Sequence, residues 1–139
     1  MNASADRLLR RTLWGNAAFS MISGAILAVF AGPFARVAAD APVSVAGLDL
    51  AILFELLGLG VVAFGALCAW VASRPELPQG WARLIFAADI AWVAGSILVL
   101  ALPASWTTAG IAGIVVVAVI VADVAILEYL GLRRLGAAR

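Results

Sequence analysis

Hydrophobic positions in this chain fall into four long blocks separated by short polar stretches. The blocks run from Thr12 to Phe34, Leu50 to Ser73, Ala82 to Leu102 and Trp106 to Leu132. Each holds about the 20 residues that a helix rising 1.5 Å per residue needs to cross a hydrocarbon layer of roughly 30 Å. Backbone N–H and C=O groups cannot be left unpaired in lipid, so apolar runs of this length predict helices. The pattern therefore predicts an all-α integral membrane four-helix bundle in a single transmembrane domain, with helices over about 12–34, 50–73, 82–102 and 106–132.

The breaks between blocks have their own chemistry. The stretch from Val37 to Asp49 is the longest and contains Pro42, Ser44 and Gly47, which predicts an irregular connection or a short segment lying on the membrane surface. Pro103-Ala104-Ser105 predicts a tight turn into the fourth helix. Arg7, Arg10 and Arg11 precede the first block, and Val37-Ala38-Ala39 has the small residues of a signal-peptide cleavage site. The block exceeds twenty residues, however, where a secretory h-region has about 7–15. It reads as a true first helix.

Composition agrees. Hydrophobic residues make up 65% of the 139 and charged residues 12%, against roughly 45–50% and 25% in soluble domains. So much apolar surface must face lipid. All nine basic residues are Arg and none is His. Eight of them, Arg7, Arg10, Arg11, Arg74, Arg83, Arg133, Arg134 and Arg139, lie in the two tails and the middle loop, and only Arg36 lies on the other side. The positive-inside rule then predicts that both termini are cytoplasmic, in a multi-pass protein of the bacterial inner (plasma) membrane. Trp14, Trp70, Trp81 and Trp106 stand at block ends, where aromatic anchors sit, whereas Trp92 falls inside a block. The single Cys68 excludes an intramolecular disulfide, and without His no zinc, haem or copper ligand set is available. No metal or other cofactor is expected, no solvated basic face exists for nucleic acid, and enzyme chemistry finds neither residue types nor a lid.

Shifting the sequence by 73 places Arg10, Asn16, Phe19 and Ser23 on Arg83, Asp89, Trp92 and Ser96, each pair alike in chemical type. A shift of 59 pairs Trp70 with Tyr129 and Arg74 with Arg133. These matches suggest two tandem helical hairpins related by an axis along the membrane normal.

Ionisable groups in a membrane core cost roughly 2.5–3.5 kcal/mol each on insertion scales, so each needs a reason. Glu55, Asp89, Asp123 and Glu128 fall inside the blocks, with Asn16. Asn16, Ser20 and Ser23 share one helical face, as do Asp89, Trp92 and Ser96. Counting from the Arg-bearing ends places Asn16, Asp89 and Asp123 about 8–15 Å inside. The expectation is a polar intramembrane cluster of Asn16, Ser20, Ser23, Asp89, Ser96 and Asp123. It has two readings: hydrogen bonds that hold helices together, or a proton- or cation-binding site in which two carboxylates cannot both stay ionised. Glu128, nearer the surface, is the candidate for an interfacial ion pair with Arg83 or Arg10. Ala87, Ala91 and Gly95 recur every four residues opposite Asp89 and form a candidate helix-packing contact, as do Ser20, Gly24 and Ala28.

Four segments carry a resemblance: Leu9-Arg10-Arg11, Asn16-Ala17-Ala18-Phe19-Ser20, Ala88-Asp89-Ile90-Ala91-Trp92 and Glu128-Tyr129-Leu130-Gly131-Leu132-Arg133-Arg134. They loosely resemble uncharacterised bacterial four-helix inner-membrane proteins, a set that implies no activity. Small multidrug transporters share the size and helix count, but they carry an essential Glu where this first helix has Asn16. Membrane disulfide oxidoreductases are excluded by the lone Cys68. Three functions follow. The first is a structural or accessory role in which the protein packs against itself, as a homo-oligomer, or against a larger membrane complex. The second is a proton- or cation-coupled small transporter using Asp89 and Asp123. The third is a lipophilic-ligand-binding protein with Trp92, Phe19 and Phe86 around the ligand.

Overall fold

The computed structural model describes residues 3–45, 47–102 and 104–136. Among these the chain forms α1 (Ala3–Val29), α2 (Ala31–Ala38), a minimal hairpin of β1 (Ser44–Val45) and β2 (Leu48–Asp49), α3 (Leu50–Ser73), α4 (Gln79–Ala101) and α5 (Thr108–Gly136). Four helices, α1, α3, α4 and α5, are long and apolar enough to cross a membrane. The fold is all-α, as the apolar blocks require. The second block coincides with α3, and the others shift by several residues.

The largest difference lies in the first block, expected to run unbroken to Phe34. The helix stops at Val29, and Phe30 leaves helical geometry with φ −104° and ψ 24°. Pro33 supplies the reason. It has no N–H to offer the Val29 carbonyl, and its ring would crowd that same group, so the ladder breaks there. The chain restarts as α2, whose first turn tolerates Pro33. Ala31 and Ala38 form its buried side. The connection expected to be irregular is thus a short helix followed by the β1–β2 hairpin, turned at Gly47 with φ 81°. Asp49 then caps α3 by accepting from the Ile52 N–H at 2.9 Å.

α2 is tied to the start of α5. The Ala38 carbonyl accepts from the Thr107 N–H at 2.9 Å, the Asp40 N–H donates to Ser105, and Ala39 bridges Trp106 in antiparallel fashion. Thr107 caps α5: its hydroxyl accepts from the Gly110 N–H at 2.9 Å while donating to the Val37 carbonyl.

α1 and α3 form the tightest pair. A Cβ added at Gly58 would stand 2.5 Å from the Ala28 nitrogen and 2.6 Å from the Gly24 carbonyl oxygen. A Cβ at Gly65 would meet the Met21 and Ala17 backbone. Gly24 and Ala28 of the strip read from the sequence thus lie in a close helix–helix seam, completed by Gly58 and Gly65 on α3. α4 pairs with α5, and α1 also packs along α5. α3 and α4 meet at the Arg-bearing end, where Trp70 and Trp81 stack edge-to-face at 5.7 Å. There the buried core is drawn from all four long helices: Leu9, Leu13, Ala17, Cys68, Val71, Ala72, Ala82, Ile85 and Leu135.

Candidate functional site: a buried amide between two carboxyl groups

The buried face of α1 runs through Leu9, Leu13, Asn16, Ser20 and Gly24, steps of three and four that keep one side of a helix toward the bundle. Asn16 sits at its middle. Its Nδ2 donates to Asp89 Oδ2 on α4 at 2.7 Å and to Glu128 Oε1 on α5 at 3.1 Å. Its Oδ1 accepts from the Ser20 hydroxyl at 3.1 Å. Asn16 and Asp89 are 2% and 4% exposed, and Glu128 is 0% exposed. One primary amide therefore joins three long helices in a dry centre.

Ser20 fixes the orientation of that amide. A hydroxyl donating to Oδ1 turns the two N–H groups toward the carboxyls, and the reverse orientation would set Oδ1 against two other acceptors. Both amide hydrogens are engaged, and among the described residues Glu128 Oε2 is buried without a hydrogen-bond partner.

The expected cluster is partly assembled. Asn16, Ser20 and Asp89 meet as anticipated. Ser23 and Ser96 do not join them: each donates back to its own helix, to the Phe19 and Trp92 carbonyls, at 2.6 and 2.9 Å. Asp123 is exposed on the opposite side of α5 from the buried line Val121, Ala125 and Glu128. Glu128 occupies the place foreseen for it. Nor is Glu128 in an interfacial ion pair. Arg83 is exposed. Arg10 closes the end of α3, donating to the carbonyls of Ala72, Arg74 and Pro75 at 2.5, 2.6 and 3.3 Å and pairing with Asp6 at 3.3 Å. The carbonyls at the end of α3 hold the Arg10 guanidinium, a favourable place for a cation at a helix C-terminus.

Ala87 and Ala91 point away from the bundle and are exposed, and nothing stands within 4 Å of a Cβ built at Gly95. This strip makes no close seam inside the monomer. Phe86, foreseen beside Trp92, instead faces Tyr129 on α5 with ring centroids 6.0 Å apart. Glu55 is exposed, five residues into α3. Among the described residues no group of three or more His, Cys, Asp or Glu is placed to hold a metal ion. Comparison with protein-family models, with curated proteins and with solved structures finds no match to this chain.

Proposed function

We propose that this is an accessory membrane protein that docks the outward sides of α4 and α5 against a membrane-spanning helix of another protein. One observation carries the reading: Asp123 is an exposed carboxylate in the middle of a helix long and apolar enough to cross a membrane. It lies ten residues before Arg133, about 15 Å along the helix axis. A charge held there against lipid costs roughly 2.5–3.5 kcal/mol. A neighbouring helix that offers a cation or a hydrogen-bond donor at that depth removes the cost. On α4 the exposed strip of Ala87 and Ala91 supplies what such a helix needs from its host, a surface low enough for backbones to approach closely. A second copy of this chain is a poorer fit. The arginines of the described residues stand at helix ends, so a symmetric partner brings no cation to Asp123. The arginine distribution supports a bacterial inner-membrane location with both termini cytoplasmic.

The test is purification in native lipid, with co-purifying proteins identified and stoichiometry counted by single-molecule photobleaching. Wild type should carry a membrane protein partner. Asp123→Leu and Ala91→Leu should each release it while the four-helix monomer keeps its thermal unfolding midpoint. A wild-type protein that is monomeric in native lipid with nothing bound overturns the proposal, and a homo-oligomer redirects it to a second copy.

Coupled transport of a proton or cation has one observation in its favour, the donor-poor carboxyl pair at Asp89 and Glu128. Those residues, rather than Asp89 and Asp123, would carry it.

A further inference from the structure

The buried centre has more acceptors than donors. Asp89 and Glu128 present four carboxyl oxygens, and the donors that reach them are the two N–H groups of Asn16. Glu128 Oε2 has none, although the residue is 0% exposed. One Asn16 nitrogen stands 2.7 Å from Asp89 Oδ2 and 3.1 Å from Glu128 Oε1, so the two carboxyl groups are neighbours, and a hydrogen bond between them needs a proton on one. Two carboxylates cannot form that bond, because each only accepts. One added proton makes one of them a donor and closes a three-sided network: amide to Asp89, amide to Glu128, and acid to carboxylate.

The surrounding charges do not provide a substitute. On α1, Arg10 lies six residues from Asn16, about 9 Å along the axis, and its guanidinium is engaged by Asp6 and the α3 carbonyls. Arg7 and Arg11 are exposed, with Arg7 farther away still. α3 contributes Cys68, a buried thiol. On α4, Arg83 is exposed, and on α5 Asp123, Tyr129, Arg133 and Arg134 are exposed. A doubly ionised pair would thus sit in a dry interior with like charges adjacent, whereas a singly protonated pair replaces that repulsion with a short charge-assisted hydrogen bond.

We propose that Asp89 and Glu128 form an internal proton-binding site that holds one proton between them, with Asn16 as its clamp. The proton enters as H⁺ from water and leaves the same way, with no other bond made or broken. Because Asn16 bonds both carboxyls, loss of the proton strains the contact between α1 and the α4–α5 pair, so proton occupancy and helix packing are linked. This inference stands apart from the docking reading, since its test reads protonation and not association.

The experiment is infrared difference spectroscopy on the protein in lipid vesicles at pH 7, wild type minus the double variant Asp89→Asn/Glu128→Gln. The expected spectrum contains one carboxylic-acid carbonyl band and one carboxylate band. The acid band should be lost in Glu128→Gln, where Asp89 gains an amide donor and stays ionised, and it should survive addition of sodium ions. A difference spectrum with two carboxylate bands overturns the proposal, as do two acid bands. Displacement of the acid band by sodium assigns the site to a metal cation and overturns it equally. If the variants fail to fold, carbon-13 labelling of aspartate and glutamate carboxyls in wild type gives the same reading. An isotopic downshift of a deuterium-exchangeable acid band supports the site, and labels that move only carboxylate bands refute it.

Discussion

The seam between α1 and α3 offers a controlled test, because α3 carries Gly58 and Gly65 in the seam and Gly60 outside it. A Cβ at Gly58 would stand 2.5, 2.6 and 2.9 Å from the Ala28 nitrogen, the Gly24 carbonyl oxygen and the Ala28 Cα. All three are backbone atoms that cannot swing aside. Relief to ordinary contact requires the two helices to part by about 1 Å, which opens every other contact along the seam. Overpacking of this kind costs typically 1–3 kcal/mol. A Cβ at Gly60, two residues along, meets nothing within 4 Å. Gly60→Ala should therefore be neutral, or stabilise by the roughly 0.5–1 kcal/mol that Ala gains over Gly in a helix interior. Both variants share that propensity gain, so their difference isolates the steric penalty and should be about 1–3 kcal/mol, with Gly58→Ala the weaker protein. Reversible unfolding in mixed detergent micelles, followed by Trp fluorescence, measures it. Equal stabilities for Gly58→Ala and Gly60→Ala would show that α1 and α3 do not approach as described.

Two further outcomes are expected. Thr107→Ala removes both the α5 cap and the bond to Val37, and should lower stability by about 1 kcal/mol, seen as a reduced unfolding midpoint in the same assay. Reporter fusions should place the C-terminus and a site after Arg74 in the cytoplasm and a site after Ala39 outside; an external C-terminus would contradict an even number of crossings.

The four long apolar helices were legible because lipid would impose one requirement on every crossing segment, length of apolar run, and that is read directly along the chain. Which face of each helix turns inward was not. On α5, Ile111, Val115, Val116, Val119, Ile120, Ile126 and Leu127 are exposed while Val121 and Leu135 are buried. Lipid tails and the bundle interior accept the same side chains, so hydropathy carries no phase. That is why Asp123 and Glu128 exchanged roles. Counting residues from Arg133 measures depth and says nothing about direction, and a difference of five positions turns a carboxyl from the lipid side to the centre. The break at Phe30 was legible in principle: Pro33 sits four residues after Val29, and a proline at that spacing disrupts the carbonyl before it. An apolar block tallied by hydropathy alone passes over it. Asn16 was found because it is the lone amide in its block, and an amide in lipid needs partners whatever its phase.

The shift of 73 that suggested a tandem repeat acquires a physical meaning at the centre. It pairs Asn16 with Asp89, and those two residues are hydrogen-bonded to each other. Away from the centre the two hairpins differ. The same shift carries Gly24 onto Ile97, and the shift of 59 carries Gly58 and Gly65 onto Val117 and Val124. Wherever α1 and α3 rely on missing side chains to approach, α4 and α5 carry branched ones, and branched side chains hold helices apart. α4 does keep small residues at Ala87 and Ala91, but on its exposed side.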